Sequence, residues 1–137
     1  MENKRKHLEF IQTAIGRMAS NLFFLKGWTI TLVSALFAIS FKEGHLESMY
    51  VAYMVIFIFW ILDGYFLSRE RMFRWLYNEV RELKEGDVDL SMTTSKCEVY
   101  KENGWFNSMC STTLLWFYLP LILVMFAIIN PITICFK

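Results

Sequence analysis

The chain has 137 residues, of which 55% are hydrophobic and 18% aromatic, and its formal net charge is only +1. So large an apolar content, concentrated in few segments, predicts an all-α integral membrane protein. The one short basic cluster, Lys4 to His7, lies where a membrane topology already calls for positive charge. Nucleic acid is therefore not a predicted partner.

The chain begins with a predicted helix from about Glu2 to Phe41. Its first half carries apolar residues at alternating intervals of three and four, the seam of a cytosolic coiled coil: Leu8, Ile11, Ile15, Met18, Leu22 and Leu25. Residues 22–41 are long and apolar enough for a first membrane span. The rival interpretation, a signal peptide cleaved near Ala35, is disfavoured because a patterned helical segment precedes the span.

A second span is predicted at residues 49–67, joined to the first by a turn over residues 42–48, so that the two form a long antiparallel hairpin. Each span contains one charge near its cytosolic end. Lys26 lies 15 residues from Phe41 and Asp63 lies 14 residues from Met49. At about 1.5 Å per residue, both reach roughly 21–22 Å from the turn.

Three interpretations of Lys26 and Asp63 are open. Lys26 could extend its ammonium to nearby headgroups while Asp63 sits at the interface. The two could instead form an intramembrane ion pair that fixes the hairpin register, or line an ion path in an oligomer.

The first span also carries a stripe of small or hydroxyl residues, spaced by three or four: Gly27, Thr31, Ser34, Ala35 and Ala38. Such faces promote close helix packing in lipid. The stripe predicts either packing within the hairpin or a subunit interface. Because three spans leave little surface to enclose a site in one copy, a homo-oligomer is the predicted state.

The second helix is predicted to continue to Lys84, with a matching apolar seam and Gly86 as its carboxyl-terminal cap. Its charged extension is either a solvated face with a membrane stop signal or a docking surface for a soluble partner or anionic lipid. The basic residues of that surface are Arg69, Arg71, Arg74, Arg81 and Lys84.

Three regions follow from this pattern: a hairpin at 1-85, a cytosolic loop and interfacial segment at 86-112, and a third transmembrane helix at 113-137. The loop ends in a predicted turn through Trp105, Phe106 and Met109. Asp87 and Asp89 have the spacing of two calcium ligands, but the required glycine and glutamate do not follow, so no metal site is predicted.

Basic residues set the orientation, since 12 of the 14 Lys and Arg residues lie on the amino-terminal side or between spans two and three. The amino terminus is therefore predicted to be cytoplasmic. His7 and His45 fall on opposite sides of the membrane, and no nucleophile with a base or phosphate-binding loop occurs. The sequence predicts no enzyme activity and no cofactor.

Three stretches carry a resemblance to a known class: Leu25 to Val33, Trp60 to Leu67, and Arg69 to Tyr77. With the layout of an amphipathic helix, two spans and a cytosolic helical extension, they make the chain similar to SLATT proteins over roughly residues 5 to 90. These are small bacterial membrane proteins associated with antiviral defence systems. The third span departs from their two-span minimum.

The resemblance implies a protein that assembles in the bacterial inner membrane. It favours a homo-oligomeric effector that perturbs or permeabilises that membrane in antiviral defence. The alternative is a membrane anchor or scaffold that recruits a cytosolic defence enzyme through its cytosolic helices and loop.

Overall fold

The computed structural model describes residues 2–43, 47–84, 86, 88, 91–94 and 104–135. Within these ranges four α-helices occur and no strand: α1 (Glu2–Glu43), α2 (Glu47–Glu82), α3 (Trp105–Met109) and α4 (Thr112–Cys135). The all-α prediction is therefore confirmed for the described part of the chain.

Three of the described helices are long and apolar enough to cross a membrane, over Glu2–Ser40, Tyr50–Glu82 and Thr112–Ile129. The helix α4 continues through Pro120, although proline removes one backbone donor and breaks most helices in water. Membrane helices tolerate proline where neighbouring groups satisfy the freed carbonyl. These features agree with membrane localisation, and the predicted orientation stays a prediction.

The helices α1 and α2 run side by side in opposite directions, because rising numbers on α1 meet falling numbers on α2. Near one end, Ile11 packs with Leu76 and Val80. Toward the other end, Val33 packs in a cluster with Ala52 and Ile56. Of the predicted seam, Ile11 and Leu22 are buried, while the supercoil of a coiled coil stays a prediction.

The helix α2 ends at Glu82, four residues before the predicted cap at Gly86, so the capping prediction is wrong. Lys4 of α1 takes this role instead. Its Nζ donates hydrogen bonds to the backbone oxygens of Arg81 at 2.9 Å and Leu83 at 2.6 Å. A cation at the carboxyl end satisfies terminal carbonyls and interacts favourably with the helix dipole.

The remaining helices pack on the same stretch of α2. The turn predicted through Trp105, Phe106 and Met109 is the short helix α3. One face of α4, formed by Leu114, Tyr118 and Met125, is buried in the cluster that holds Val33 and its α2 neighbours. This packing brings α1, α2 and α4 together around one buried carboxylate.

Candidate functional site

The buried carboxylate is Asp63, and its first partner is the lysine expected from the hairpin register. Lys26 Nζ lies 3.2 Å from Asp63 Oδ2. The Asp63 side chain is fully buried, and that of Lys26 is 24% exposed. An unpaired charge in hydrocarbon is costly, so the contact neutralises both groups where water is scarce.

The second partner comes from α4 and was not singled out from the sequence. The Tyr118 hydroxyl donates a hydrogen bond of 2.8 Å to the same Oδ2 atom of Asp63. Tyr118 is fully buried. We call Lys26, Asp63 and Tyr118 the polar node, because these three side chains join α1, α2 and α4 at one point.

Aromatic rings surround the polar node. Trp60 stacks on Tyr118 with ring centroids 5.8 Å apart and an interplanar angle of 17°. Lys26 Nζ also lies 5.7 Å from the centroid of Phe117. The face of Phe117 attracts the Lys26 cation, and the rings exclude water, which strengthens the attraction between Lys26 and Asp63.

Thr29 completes the α1 side of the polar node. It is fully buried and adjoins the Tyr118 hydroxyl. Its own hydroxyl donates to the backbone oxygen of Leu25 at 2.8 Å, so its polar group is satisfied within the helix.

One oxygen of the node stays unsatisfied. Asp63 Oδ1 is buried with no hydrogen-bond partner among the described residues. A buried acceptor without a donor costs free energy. Among the described residues, the compensation of Asp63 therefore depends on the two donors that share Oδ2, Lys26 and Tyr118.

The short helix α3 packs closely against α2 next to the polar node, through a contact between Met109 and Gly64. A Cβ atom placed on Gly64 would overlap the Met109 side chain and lie 3.3 Å from the Met109 Cα atom. Trp60 Nε1 donates to the Met109 backbone oxygen at 3.0 Å. Glycine at position 64 therefore lets α3 lie directly against α2, beside Asp63.

The stripe of small residues on α1 does not take part in this packing. Its five members are all exposed: Gly27, Thr31, Ser34, Ala35 and Ala38. The face of α1 that meets α2 and α4 is formed instead by Leu22, Thr29 and Val33. The prediction of packing within the hairpin is wrong, because the stripe lies on the opposite side of the helix.

The basic residues of α2 divide into two groups. Arg74 binds Glu70, with Nε at 2.8 Å and a terminal nitrogen at 2.7 Å from the same carboxylate oxygen. Arg69 lies 5.4 Å from the Tyr65 ring centroid, and Arg71 is half-buried with contacts of its own. Arg81, in the last turn of α2, and Lys84, two residues beyond the helix, are exposed.

Among the described residues, no group of three or more His, Cys, Asp or Glu side chains could hold a metal ion. His7 is buried near the amino-terminal end of α1, 19 residues before Lys26 of the polar node. His45, Asp87 and Asp89 lie outside the described residues.

No family model, curated protein or solved structure matches the chain. The resemblance to SLATT proteins therefore stays a prediction. The site itself offers a neutralised charge pair inside a membrane span rather than a nucleophile beside a base.

Proposed function

We propose that the protein is a homo-oligomeric effector of bacterial antiviral defence that permeabilises the inner membrane, with its amino terminus in the cytoplasm. The observation that carries this proposal is the exposure of the small-residue stripe on α1. Apolar surface gives no driving force between helices in lipid, so close packing of small residues is a main cause of association. A stripe facing outward from the single chain is suited to a second copy.

The polar node supplies a way for such an assembly to change shape. It joins three helices through one carboxylate oxygen, and its lysine is reachable from outside the bundle. If a signal separated α4 from the hairpin, Asp63 would lose its tyrosine donor and keep only Lys26. A charged pair released in this way would favour water over lipid, which promotes a wet path between copies.

A scaffold function is the second candidate, and the exposed aromatic ring of Phe10 favours it. Phe10 is 63% exposed on the predicted cytosolic part of α1. Its ring offers a large apolar contact area, and the basic side chains of Arg81 and Lys84 are exposed at the same end of the hairpin, so this end is suited to dock a soluble partner. In this case the hairpin would anchor a cytosolic defence enzyme, and no permeabilisation would follow.

The two functions differ in what the protein does when expressed alone in bacteria. An effector depolarises the inner membrane, which a potential-sensitive dye reports. The Ala35→Leu variant, which fills the small-residue stripe, is expected to lose this activity, whereas Ala127→Leu, a matched change on the exposed face of α4, keeps it. Unchanged potential together with co-purification of a soluble partner through Phe10 would support the scaffold and contradict the effector.

A further inference from the structure

Among the described residues, four side-chain atoms are buried without a hydrogen-bond partner, and three of them belong to the junction of α2, α3 and α4. These three are Asp63 Oδ1, Ser108 Oγ and Ser111 Oγ, whereas the fourth, His7 Nε2, lies near the amino-terminal end of α1. Buried polar groups are nearly always paired, and an unpaired one costs free energy. Three such groups at one junction therefore indicate a polar ligand.

Contacts between neighbouring residues hold these three residues close together. Met109 of α3 packs directly on Gly64 of α2. Asp63 is the chain neighbour of Gly64, and Ser108 is the chain neighbour of Met109. The Ser111 backbone N–H donates to the Ser108 backbone oxygen at 3.1 Å, so the turn from α3 to α4 brings Ser111 to the same junction.

The buried face of α4 that reaches the polar node continues back to Ser111, one residue before the helix. Ser111, Leu114 and Tyr118 are all buried and follow one another at intervals of three and four residues. Residues at these intervals lie on one face of a helix. Because the Tyr118 hydroxyl binds Asp63, Ser111 is in line with the polar node.

The junction is buried but lies close to the surface of the molecule. Cys110, which separates the two serines along the chain, is exposed. Ser111 also lies two residues before the third span predicted from the sequence, at its cytosolic end. Water therefore has a short route to the two serine hydroxyl groups.

Charge and hydrogen-bonding capacity favour water over a metal cation as the ligand. Lys26 already neutralises Asp63, so a bound cation would leave an uncompensated positive charge within the span, which is costly. Water is neutral, and it can donate to a carboxylate oxygen while it accepts from hydroxyl groups. A buried water typically makes about three hydrogen bonds, which is the number of unpaired atoms at the junction.

We infer that ordered water binds at this junction, between Asp63 Oδ1 and the hydroxyl groups of Ser108 and Ser111. The inference requires only the packing of α2, α3 and α4, so it stands apart from the proposed effector function. In an effector, this site is where water first reaches the polar node.

Water-edited solid-state NMR of the labelled full chain in lipid bilayers tests this inference, because it detects side chains that receive magnetisation from water protons. The Cβ signals of Ser108 and Ser111 should build up at least about twice as fast as that of Ser40, since a water bonded to a hydroxyl lies next to its Cβ atom. Ser40 is the matched control, because it is also buried and its hydroxyl donates to the Leu36 backbone oxygen at 2.8 Å. Equal build-up at the three serines would overturn the inference.

The Ser108→Ala variant gives an independent test through the sign of its effect on stability. A hydroxyl that binds ordered water contributes hydrogen bonds, so its removal should lower the unfolding temperature in detergent by about 4 °C. A dry and unpaired hydroxyl destabilises the fold, so an unchanged or raised unfolding temperature would contradict the inference. Ser40→Ala removes a hydroxyl that is bonded within its own helix, and it should change the unfolding temperature less.

A third measurement separates water from a bound metal cation. Replacing sodium by choline in the buffer should leave the NMR signals of Ser108 and Ser111 unchanged, because water is present in both buffers. A change in these signals that requires sodium would show a cation site and overturn the inference.

Discussion

At the scale of single residues, the stability of the bundle depends on how Asp63 is neutralised. One of its carboxylate oxygens receives both the Lys26 ammonium and the Tyr118 hydroxyl, and the other receives no described donor. Removing either donor leaves the buried Asp63 carboxylate with less compensation for its charge. The resulting loss of stability exceeds the net contribution of the intact ion pair, because the desolvation cost of the remaining charge is no longer offset.

We expect Lys26→Met to destabilise the protein by about 3 kcal/mol, the lower end for a broken buried pair, because Lys26 is 24% exposed. Asp63→Asn should also destabilise, since it leaves the Lys26 cation without its partner. Exchanging the two residues should restore part of the loss, but not all, because Tyr118 then faces a lysine. Thermal unfolding in detergent measures each variant; an exchange no better than either single change contradicts the pairing.

A separate prediction concerns the hydroxyl group of Tyr118. Tyr118→Phe keeps the ring that stacks on Trp60 and removes only the hydroxyl, so we expect a loss of about 1.5–3 kcal/mol, the range for a hydrogen bond to a charged group. Tyr65→Phe is the matched control, because Tyr65 is 46% exposed and contacts Arg69 through its ring. Equal stability of the two variants would show that the hydroxyl of Tyr118 contributes nothing.

The sequence places Lys26 and Asp63 at the same depth, because helix rise converts residue counts into depth, and it leaves their ion pair as one of three interpretations. It does not predict Tyr118 or Thr29. Depth along α4 follows from the same count, but the rotation of α4 against the hairpin depends on packing through Trp60 and Gly64. No local pattern encodes that rotation.

At the scale of helices, the position of α3 depends on a glycine contact. In lipid, glycine on a helix face lets another backbone approach closely. Gly64 has this role, whereas Gly16 and Gly27 have no neighbouring atom within 4 Å of an added Cβ. An added methyl group would therefore meet another helix at Gly64 but open space at Gly16 and Gly27.

We expect Gly64→Ala to destabilise the protein by about 1–3 kcal/mol, because the added methyl group forces α3 away from α2 and weakens the bond from Trp60 to Met109. The matched variant, Gly16→Ala, should be neutral or stabilising by up to about 1 kcal/mol, since alanine favours helix. Unfolding in detergent compares the two. If both changes have the same effect, α3 does not depend on this contact.

The sequence predicts where the long helices begin and end to within a few residues. It does not predict whether the small-residue stripe of α1 faces the other helices or faces outward. Apolar seams predict the faces of α1 and α2 that meet, as the burial of Ile11, Leu76 and Val80 shows. The spacing of the small-residue stripe fits packing within the hairpin and a subunit interface equally well. The structure places it outward, because Thr29 and Val33 occupy the face toward α2 and α4.

At the scale of the whole molecule, exposed surfaces of α1 and α4 are as informative as the core. The stripe on α1 lies beside exposed aromatic residues, with Trp28 59% exposed and Phe23 78% exposed. On α4, Trp116 is 76% exposed. These rings suit lipid or another copy, and the single chain leaves both helices uncovered on one side.

The central claim is that copies of the chain associate through the small-residue stripe of α1. The mass of the complex, extracted with its lipids and measured by native mass spectrometry, tests it most directly. We predict several copies for the wild type and for Ala127→Leu, and a single copy for Ala35→Leu, because leucine at that position blocks close helix approach. A wild-type protein of one copy, or equal masses for the two variants, would contradict the claim.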